Sequence, residues 1–172
     1  MVGISHRMRC QRLLREAEGY LELDLPRLAI NALSRMEDPG SFRGHQLWLW
    51  GEALRALGEF VEAATMLEEA AELTPSKLEI FISLGWCYKR TNRLPDAIGA
   101  LERAREANPD QAIVYYNLAC YQSLAGNKDA ALEYLSQALI MQPGYRDHVA
   151  EESDFDPIRN DPDFQTLTAI IV

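Results

Sequence analysis

The chain has 172 residues, of which 48% are hydrophobic and 25% are charged, so it can bury a core and is not disordered throughout. Its formal net charge of −9 argues against a nucleic-acid partner, because phosphate contacts require clustered Lys and Arg. Three cysteines are too few for a disulfide framework or a metal cluster, so we expect a cytoplasmic protein. The sequence has no run of roughly 20 apolar residues, so we expect no membrane partner.

The N-terminal segment is basic. Four arginines precede the first acidic residue, Glu16: Arg7, Arg9, Arg12 and Arg15. No continuous apolar run follows them, as a secretory signal would require. We expect residues 1–10 to form a flexible N terminus.

A period of 34 residues organises most of the remaining chain. Proline recurs at Pro75, Pro109 and Pro143. Small and apolar residues repeat in step with it, at Ala63, Ala97 and Ala131; at Leu67, Leu101 and Leu135; at Ala70, Ala104 and Ala138; and at Gly51, Gly85 and Ala119. Small residues at fixed intervals are typical of helices that approach closely.

Each period contains signals for two helices. Gly58, Asn92 and Gly126 tolerate the positive φ that often ends a helix. A second helix then opens near Pro95 or Asn127, and the periodic proline ends it. The unit is therefore predicted to be an antiparallel helix pair.

This 34-residue helix-turn-helix unit resembles the tetratricopeptide repeat. Three copies occupy residues 42–75, 76–109 and 110–143, and a degenerate copy occupies residues 11–41. The resemblance implies an all-α, right-handed α-solenoid in a single domain. The degenerate copy lacks the periodic proline, since that position is Ser41, and we expect an irregular connection there.

Residues 144–172 depart from the repeat, and we predict short helices that cap the solenoid. Asp161 is placed to cap a helix with Pro162 in its first turn. Phe164, Leu167 and Ile171 form an apolar stripe at helical spacing. An alternative is that this acidic segment is a detachable tail that competes for the binding groove.

No catalytic constellation is apparent in the sequence. His6, His45 and His148 are isolated from one another and lack metal-ligand spacing. Glu68, Glu69 and Glu72 fall on a helix flank, where carboxylates usually face water. We therefore predict neither an enzyme nor a site for a cofactor or metal ion.

In proteins with this repeat, the first helices line a concave face that commonly binds an extended or helical segment of another protein. The resemblance places the following residues on that face as candidates for partner binding: Trp48, Leu49, Glu52, Arg55, Ile82, Trp86, Lys89, Arg90, Ile113, Tyr116, Asn117 and Cys120. In the degenerate copy the same face carries Gln11, Leu14, Arg15, Glu18 and Leu21. The aromatic rings are candidate anchors, although they can equally pack between neighbouring helices.

Some proteins of this family bind acidic chaperone tails through a Lys, Asn and Arg clamp. This sequence has His45, Leu49, Ser83, Ile113 and Asn117 at the clamp positions, which disfavours that activity. The leading hypothesis is a non-catalytic scaffold that binds a peptide or partner helix. Alternatives are weak self-association between the basic start and the acidic end, and a chaperone for a specific client.

Overall fold

In the computed structural model, which describes residues 5–169, the chain forms ten α-helices, and those residues contain no strand. The helices are α1 (His6–Glu22), α2 (Pro26–Ser34), α3 (Arg43–Ala56), α4 (Phe60–Leu73), α5 (Leu78–Arg90), α6 (Leu94–Ala107), α7 (Ala112–Leu124), α8 (Lys128–Met141), α9 (Arg146–Val149) and α10 (Pro162–Thr168). The chain divides between Thr91 and Asn92 into two compact units. Helices α1–α5 belong to the first unit and α6–α10 to the second, whereas the single domain expected from the repeats stays a prediction.

The turns between paired helices follow the 34-residue period. Gly58, Asn92 and Gly126 all have positive φ angles, of 80°, 59° and 77° respectively, as the sequence predicts. A fourth turn, at Asp24, has φ 55° and lies one period before Gly58. Glycine adopts this conformation freely, and Asn and Asp tolerate it better than most other residues. The degenerate copy therefore retains the hairpin turn of the regular repeats.

The predicted helix boundaries are also confirmed. Helices α4, α6 and α8 each end two residues before one of the periodic prolines. Pro95 is the second residue of α6, where its missing N–H leaves no helical bond unmade. Asn127 directly precedes the first residue of α8.

The N-terminal helix begins earlier than expected. Residues 6–10 were predicted to be flexible, but α1 starts at His6, where the Ser5 hydroxyl accepts a hydrogen bond from the Met8 N–H at 3.3 Å. Cys10 is 2% exposed and belongs to the apolar cluster formed by α1, α2 and α3. The helix is favoured because it caps its first turn and buries this side chain. Residues 1–4 lie outside the described part of the chain.

The connection between α2 and α3 is irregular, as predicted. It contains a 3₁₀ turn, Gly40–Phe42, in which Gly40 has φ 49°. The buried side chain of Gln46 donates from Nε2 to the carbonyl oxygen of Leu33 at 2.9 Å. The same carbonyl oxygen accepts a hydrogen bond from the Met36 N–H at 3.1 Å, so Gln46 is its second donor at the end of α2.

Helices α3 and α4 approach closely where α3 has no side chain. A Cβ atom at Gly51 would lie 2.6 Å from Cγ of Leu67 and 3.3 Å from the carbonyl oxygen of Ala63. Leu67 and Ala63 are themselves fully buried. The absence of a side chain at Gly51 therefore sets the separation of α3 and α4.

In the second unit, α7 packs against α8 around the buried side chains of Val114, Leu118 and Leu135. The chain then forms a 3₁₀ turn (Pro143–Tyr145), α9, another 3₁₀ turn (Ser153–Phe155) and α10.

Helix α10 begins as the sequence predicts. Asp161 Oδ1 accepts a hydrogen bond from the Asp163 N–H at 2.9 Å, and Pro162 is the first helical residue. Phe164 is buried and Leu167 is half-buried, while Ile171 lies outside the described residues. No helix between residues 5 and 169 combines the length and apolar character needed to cross a membrane.

We predict that Gly51→Ala destabilises the protein by about 1–3 kcal/mol, because the added methyl group overpacks the contact with Leu67. Gly19→Ala is the matched control, since Gly19 is also helical and a Cβ atom there meets nothing within 4 Å. Alanine should stabilise that position by up to about 1 kcal/mol. Denaturant unfolding of both variants measures the difference, and equal stability of the two would contradict the packing described here.

Candidate functional site

Two adjoining clefts lie between the first helices of the first unit. The larger, called the acidic cleft, has a volume of about 450 Å³ and is lined by Glu18, Leu21, Glu22, Asp24, Trp48, Leu49, Glu52, Arg55 and Ala56. The second cleft has a volume of about 410 Å³ and is lined by Gln11, Leu14, Arg15, Glu18, Phe42 and His45. Glu18 lines both clefts, so together they form a continuous surface along α1 and α3.

This surface contains the predicted first-helix face residues of the degenerate copy and of α3. All five candidates from the degenerate copy line one of the two clefts. So do the four candidates on α3: Trp48, Leu49, Glu52 and Arg55. Leu49 is only 2% exposed and packs in the apolar core, so it supplies the floor of the acidic cleft. Helical spacing brings the side chains together because residues three or four apart share one face.

The acidic cleft has an apolar interior and a negative rim. Its carboxylates are Glu18, Glu22, Asp24 and Glu52, and Arg55 is the single cation among its lining residues. The Arg55 guanidinium donates from Nη2 to Oε2 of Glu52 at 2.7 Å. Because this pair neutralises one charge of each sign, the remaining rim carries an excess of negative charge.

The Trp48 ring is surrounded by polar groups on α1, α3 and the start of α5. The Lys77 ammonium lies 3.8 Å from the ring centroid, in a cation–π arrangement. His45 lies one turn before Trp48, and its Nε2 atom is 2.9 Å from Oε1 of Glu18, which makes an ion pair when His45 is protonated. Within residues 5–169, neither Nε1 of Trp48 nor Oε1 of Glu52 has a hydrogen-bond partner, although both atoms are enclosed. Enclosed polar atoms without partners are uncommon in native structures.

Trp86 is engaged within the first unit. Its ring meets Phe60 edge-on at 5.0 Å, and the guanidinium groups of Arg55 and Arg90 lie 5.4 and 5.6 Å from its centroid. The side chain is half-buried. Trp86 therefore packs α5 against the end of α3 and the start of α4. This is the second of the two roles that the sequence analysis gives the aromatic rings, packing between neighbouring helices.

On α7 the predicted partner face is largely covered by the chain's own C-terminal segment. The Tyr116 ring stacks on Tyr145 at 4.6 Å and meets Phe155 edge-on at 5.8 Å. Tyr116 is 6% exposed and Cys120 is 2% exposed, while Ile113 and Asn117 are half-buried. Burial raises the pKa of the Tyr116 phenol above its ordinary value because the charged form would be desolvated. Tyr116 and Cys120 are therefore buried beneath this segment, and a role for them in partner binding stays a prediction.

Two cations hold the C-terminal segment in the second unit. Lys128 Nζ on α8 lies 3.1 Å from Asp161 and 3.1 Å from Asp163 at the start of α10. Hydrogen bonds to these carboxylates raise the pKa of Lys128, and the same contact lowers the pKa of Asp161. The Arg159 guanidinium donates to the carbonyl oxygens of Ala150 and Glu152 at 2.9 and 2.7 Å. Part of the acidic end is thus paired internally.

Sequence reasoning missed several residues of the clefts. Glu22 is the last residue of α1, Asp24 lies in the turn that follows it, and Ala56 is the last residue of α3. The period alone identifies the Asp24 turn, because subtracting 34 from Gly58 gives that position. Phe42 precedes α3 in the irregular connection, and no periodic signal points to it.

No group of three or more His, Cys, Asp or Glu side chains suited to a metal ion occurs in the described part of the chain.

Two models of the tetratricopeptide repeat family match the sequence, one over residues 54–119 and the other over residues 112–145. Together they span residues 54–145, which is more than half of the 172 residues. No curated protein shows a significant match in sequence.

Solved structures with the same fold include three informative cases. MamA is 22% identical with a TM-score of 0.73, and the match covers 80% of this chain and 81% of MamA. Residues 41 to the end of MamA from Desulfovibrio magneticus RS-1 are 20% identical with a TM-score of 0.71, covering 92% of this chain and 93% of that chain. YrrB, described as a TPR protein with an unusual peptide-binding site, is 23% identical with a TM-score of 0.69, covering 78% of this chain and 71% of YrrB. At these identities the likeness establishes the fold.

We predict that Phe155→Ala destabilises the protein by about 3–5 kcal/mol, because Phe155 is fully buried between Tyr116 and Phe164. His148→Ala, an exposed position in the same segment, should change the stability by less than about 0.5 kcal/mol. Thermal or denaturant unfolding distinguishes the two variants. A Phe155→Ala protein as stable as the wild type would show that the segment is not packed on α7.

Cys87 provides a pH-dependent prediction. Burial raises the pKa of its thiol from 9.0 to about 11, with Arg55 opposing and Glu52 reinforcing the shift. The stabilisation that this group contributes is complete below pH 9 and is lost as the pH rises through about 11. Alkylation of Cys87, followed by mass spectrometry, should therefore be slow in the native protein at pH 8. Labelling at the rate of an unfolded control at pH 8 would contradict this burial.

Proposed function

The chain belongs to the tetratricopeptide repeat family, and we propose that it is a non-catalytic interaction module that binds a peptide or partner helix along α1 and α3. The observation that carries the proposal is the continuous surface of the two clefts, where two helices of successive repeats present apolar, aromatic and charged side chains to the same space. Such concave, partly apolar surfaces are typical of sites that receive a segment of another polypeptide.

The dimensions of the surface suit a short segment. Gln11 and Glu22 mark its limits on α1, and these eleven residue steps correspond to about 16 Å along a helix. An extended chain rises about 3.3 Å per residue, so about five residues fit along it. Both helices are held by a buried core, and a preformed surface lowers the ordering cost of binding.

The proposed binding surface is narrower than the sequence alone suggests. Trp48, Leu49, Glu52 and Arg55 remain in it, whereas Tyr116 and Cys120 are covered by the C-terminal segment. Ile82, Lys89 and Arg90 on α5 remain predictions. We place the protein in the cytoplasm, in accord with its three buried free cysteines.

Weak self-association is a second candidate, favoured by one observation. Four arginines on α1 are exposed: Arg7, Arg9, Arg12 and Arg15. Asp161 and Asp163 at the acidic end are paired with Lys128, so the other carboxylates of that end are the counterparts for these arginines. Sedimentation at several salt concentrations tests this candidate, because exposed charge pairs weaken as ionic strength rises.

The proposal predicts that Ala56→Trp blocks binding. Ala56 is exposed and lines the acidic cleft, so an indole ring there fills space that the partner would occupy without disturbing the core. Binding to peptides selected on an array should weaken at least about tenfold, equivalent to about 1.4 kcal/mol, as measured by fluorescence anisotropy.

Ala107→Trp is the matched control, because Ala107 is likewise an exposed alanine at the last position of a helix, α6. It adds the same apolar ring outside the clefts and should leave binding unchanged. Equal affinity of the folded Ala56→Trp variant and the wild type would exclude this surface as the binding site.

A further inference from the structure

We propose that the acidic cleft selects a cationic polypeptide segment, one that carries Lys or Arg side chains opposite Glu18, Glu22 and Asp24. This inference rests on the proposed function and adds the chemical class of the partner. Three features support it: the negative charge of the rim, the contact of the Trp48 ring with the Lys77 ammonium, and the unequal charge of the two clefts.

The rim has carboxylates that no cation in the cleft neutralises. Arg55 is paired with Glu52 and also lies against the Trp86 ring, so it is committed to two internal contacts. Glu22 and Asp24 are exposed, and Glu18 shares the second cleft with Arg15 and His45. An acidic segment would meet like charges at short range, whereas a basic segment would find complementary ones.

The Trp48 ring is in contact with a cation of the chain itself. Lys77 places its ammonium 3.8 Å from the ring centroid, a distance at which the electron-rich face attracts positive charge. An entering ammonium or guanidinium group meets the exposed carboxylates of Glu22 and Asp24 at the rim, and the apolar floor accommodates its methylene stem.

The two clefts differ in charge, so the two ends of the surface favour partner residues of different charge. The second cleft contributes Arg15 and His45 beside Glu18, whereas the opposite end carries Glu22 and Asp24 without a lining cation other than Arg55. The cationic residues of the partner therefore lie at the end of the surface formed by the α1–α2 turn. Neutral or acidic residues suit the end near Arg15.

The test uses two amidated eight-residue peptides, each with four leucines alternating with four lysines or with four glutamates. The full chain is titrated against both by fluorescence anisotropy at low and moderate salt. We expect the lysine peptide to bind at least about tenfold more tightly than the glutamate peptide, and its affinity to fall as salt rises.

The matched variants separate local from net charge. Glu18→Gln/Glu22→Gln/Asp24→Asn removes three rim carboxylates, and Asn retains the positive φ that the turn requires at that position. The control, Glu106→Gln/Glu133→Gln/Glu151→Gln, removes three exposed carboxylates from the second unit and changes the net charge equally. The rim variant should bind the lysine peptide about tenfold more weakly, and the control should stay within about twofold of the wild type.

Circular dichroism establishes that both variants are folded. Undiminished affinity of the rim variant, or equal binding of both peptides by the wild type, would overturn the cationic preference. The proposed function survives either result if Ala56→Trp still weakens binding of the peptides at least about tenfold. If neither these peptides nor any peptide on the array binds the wild-type chain, the proposed function fails together with the inference.

Discussion

The close approach of helices at positions with little or no side chain is the constraint on which the binding surface depends. Gly51 allows α3 to lie against Leu67 of α4, and the opposite side of α3 then faces α1 with Trp48 and Glu52. A larger residue at Gly51 would move the helix that supplies five of the nine residues lining the acidic cleft. The core and the candidate site are therefore two sides of the same helix, and their positions are physically linked.

The first helices of the two units are used differently. In the first unit, α1 and α3 leave an open surface with an apolar floor and an acidic rim. In the second unit, Tyr145 and Phe155 cover Tyr116 on α7, and the Lys128 contacts fasten α10 to α8. The burial of Phe155 and Phe164 favours a structural cap over a detachable tail, since releasing the segment would expose both rings to water.

Much of the fold follows from the sequence because one period fixes several kinds of residue at once. The turns at Gly58, Asn92 and Gly126, the prolines after α4, α6 and α8, and the cap at Asp161 all carry local signals. The residues of the clefts on α1 and α3 follow from helical spacing. The cover over Tyr116 does not, because it depends on contacts with Tyr145 and Phe155, which lie beyond the last repeat and outside its period.

The internal engagement of Trp86 was equally beyond sequence reasoning. An aromatic residue at helical spacing has the same pattern whether it anchors a partner or packs on Phe60, and only the contacts distinguish the two.

The central claim is that a partner segment lies along α1 and α3. It is tested most directly by measuring hydrogen–deuterium exchange of the chain alone and of the chain saturated with its tightest-binding peptide. The account predicts new protection concentrated in α1 and α3, with α7 unchanged. Protection concentrated in α7 and the C-terminal segment, with α1 and α3 unaffected, would contradict it.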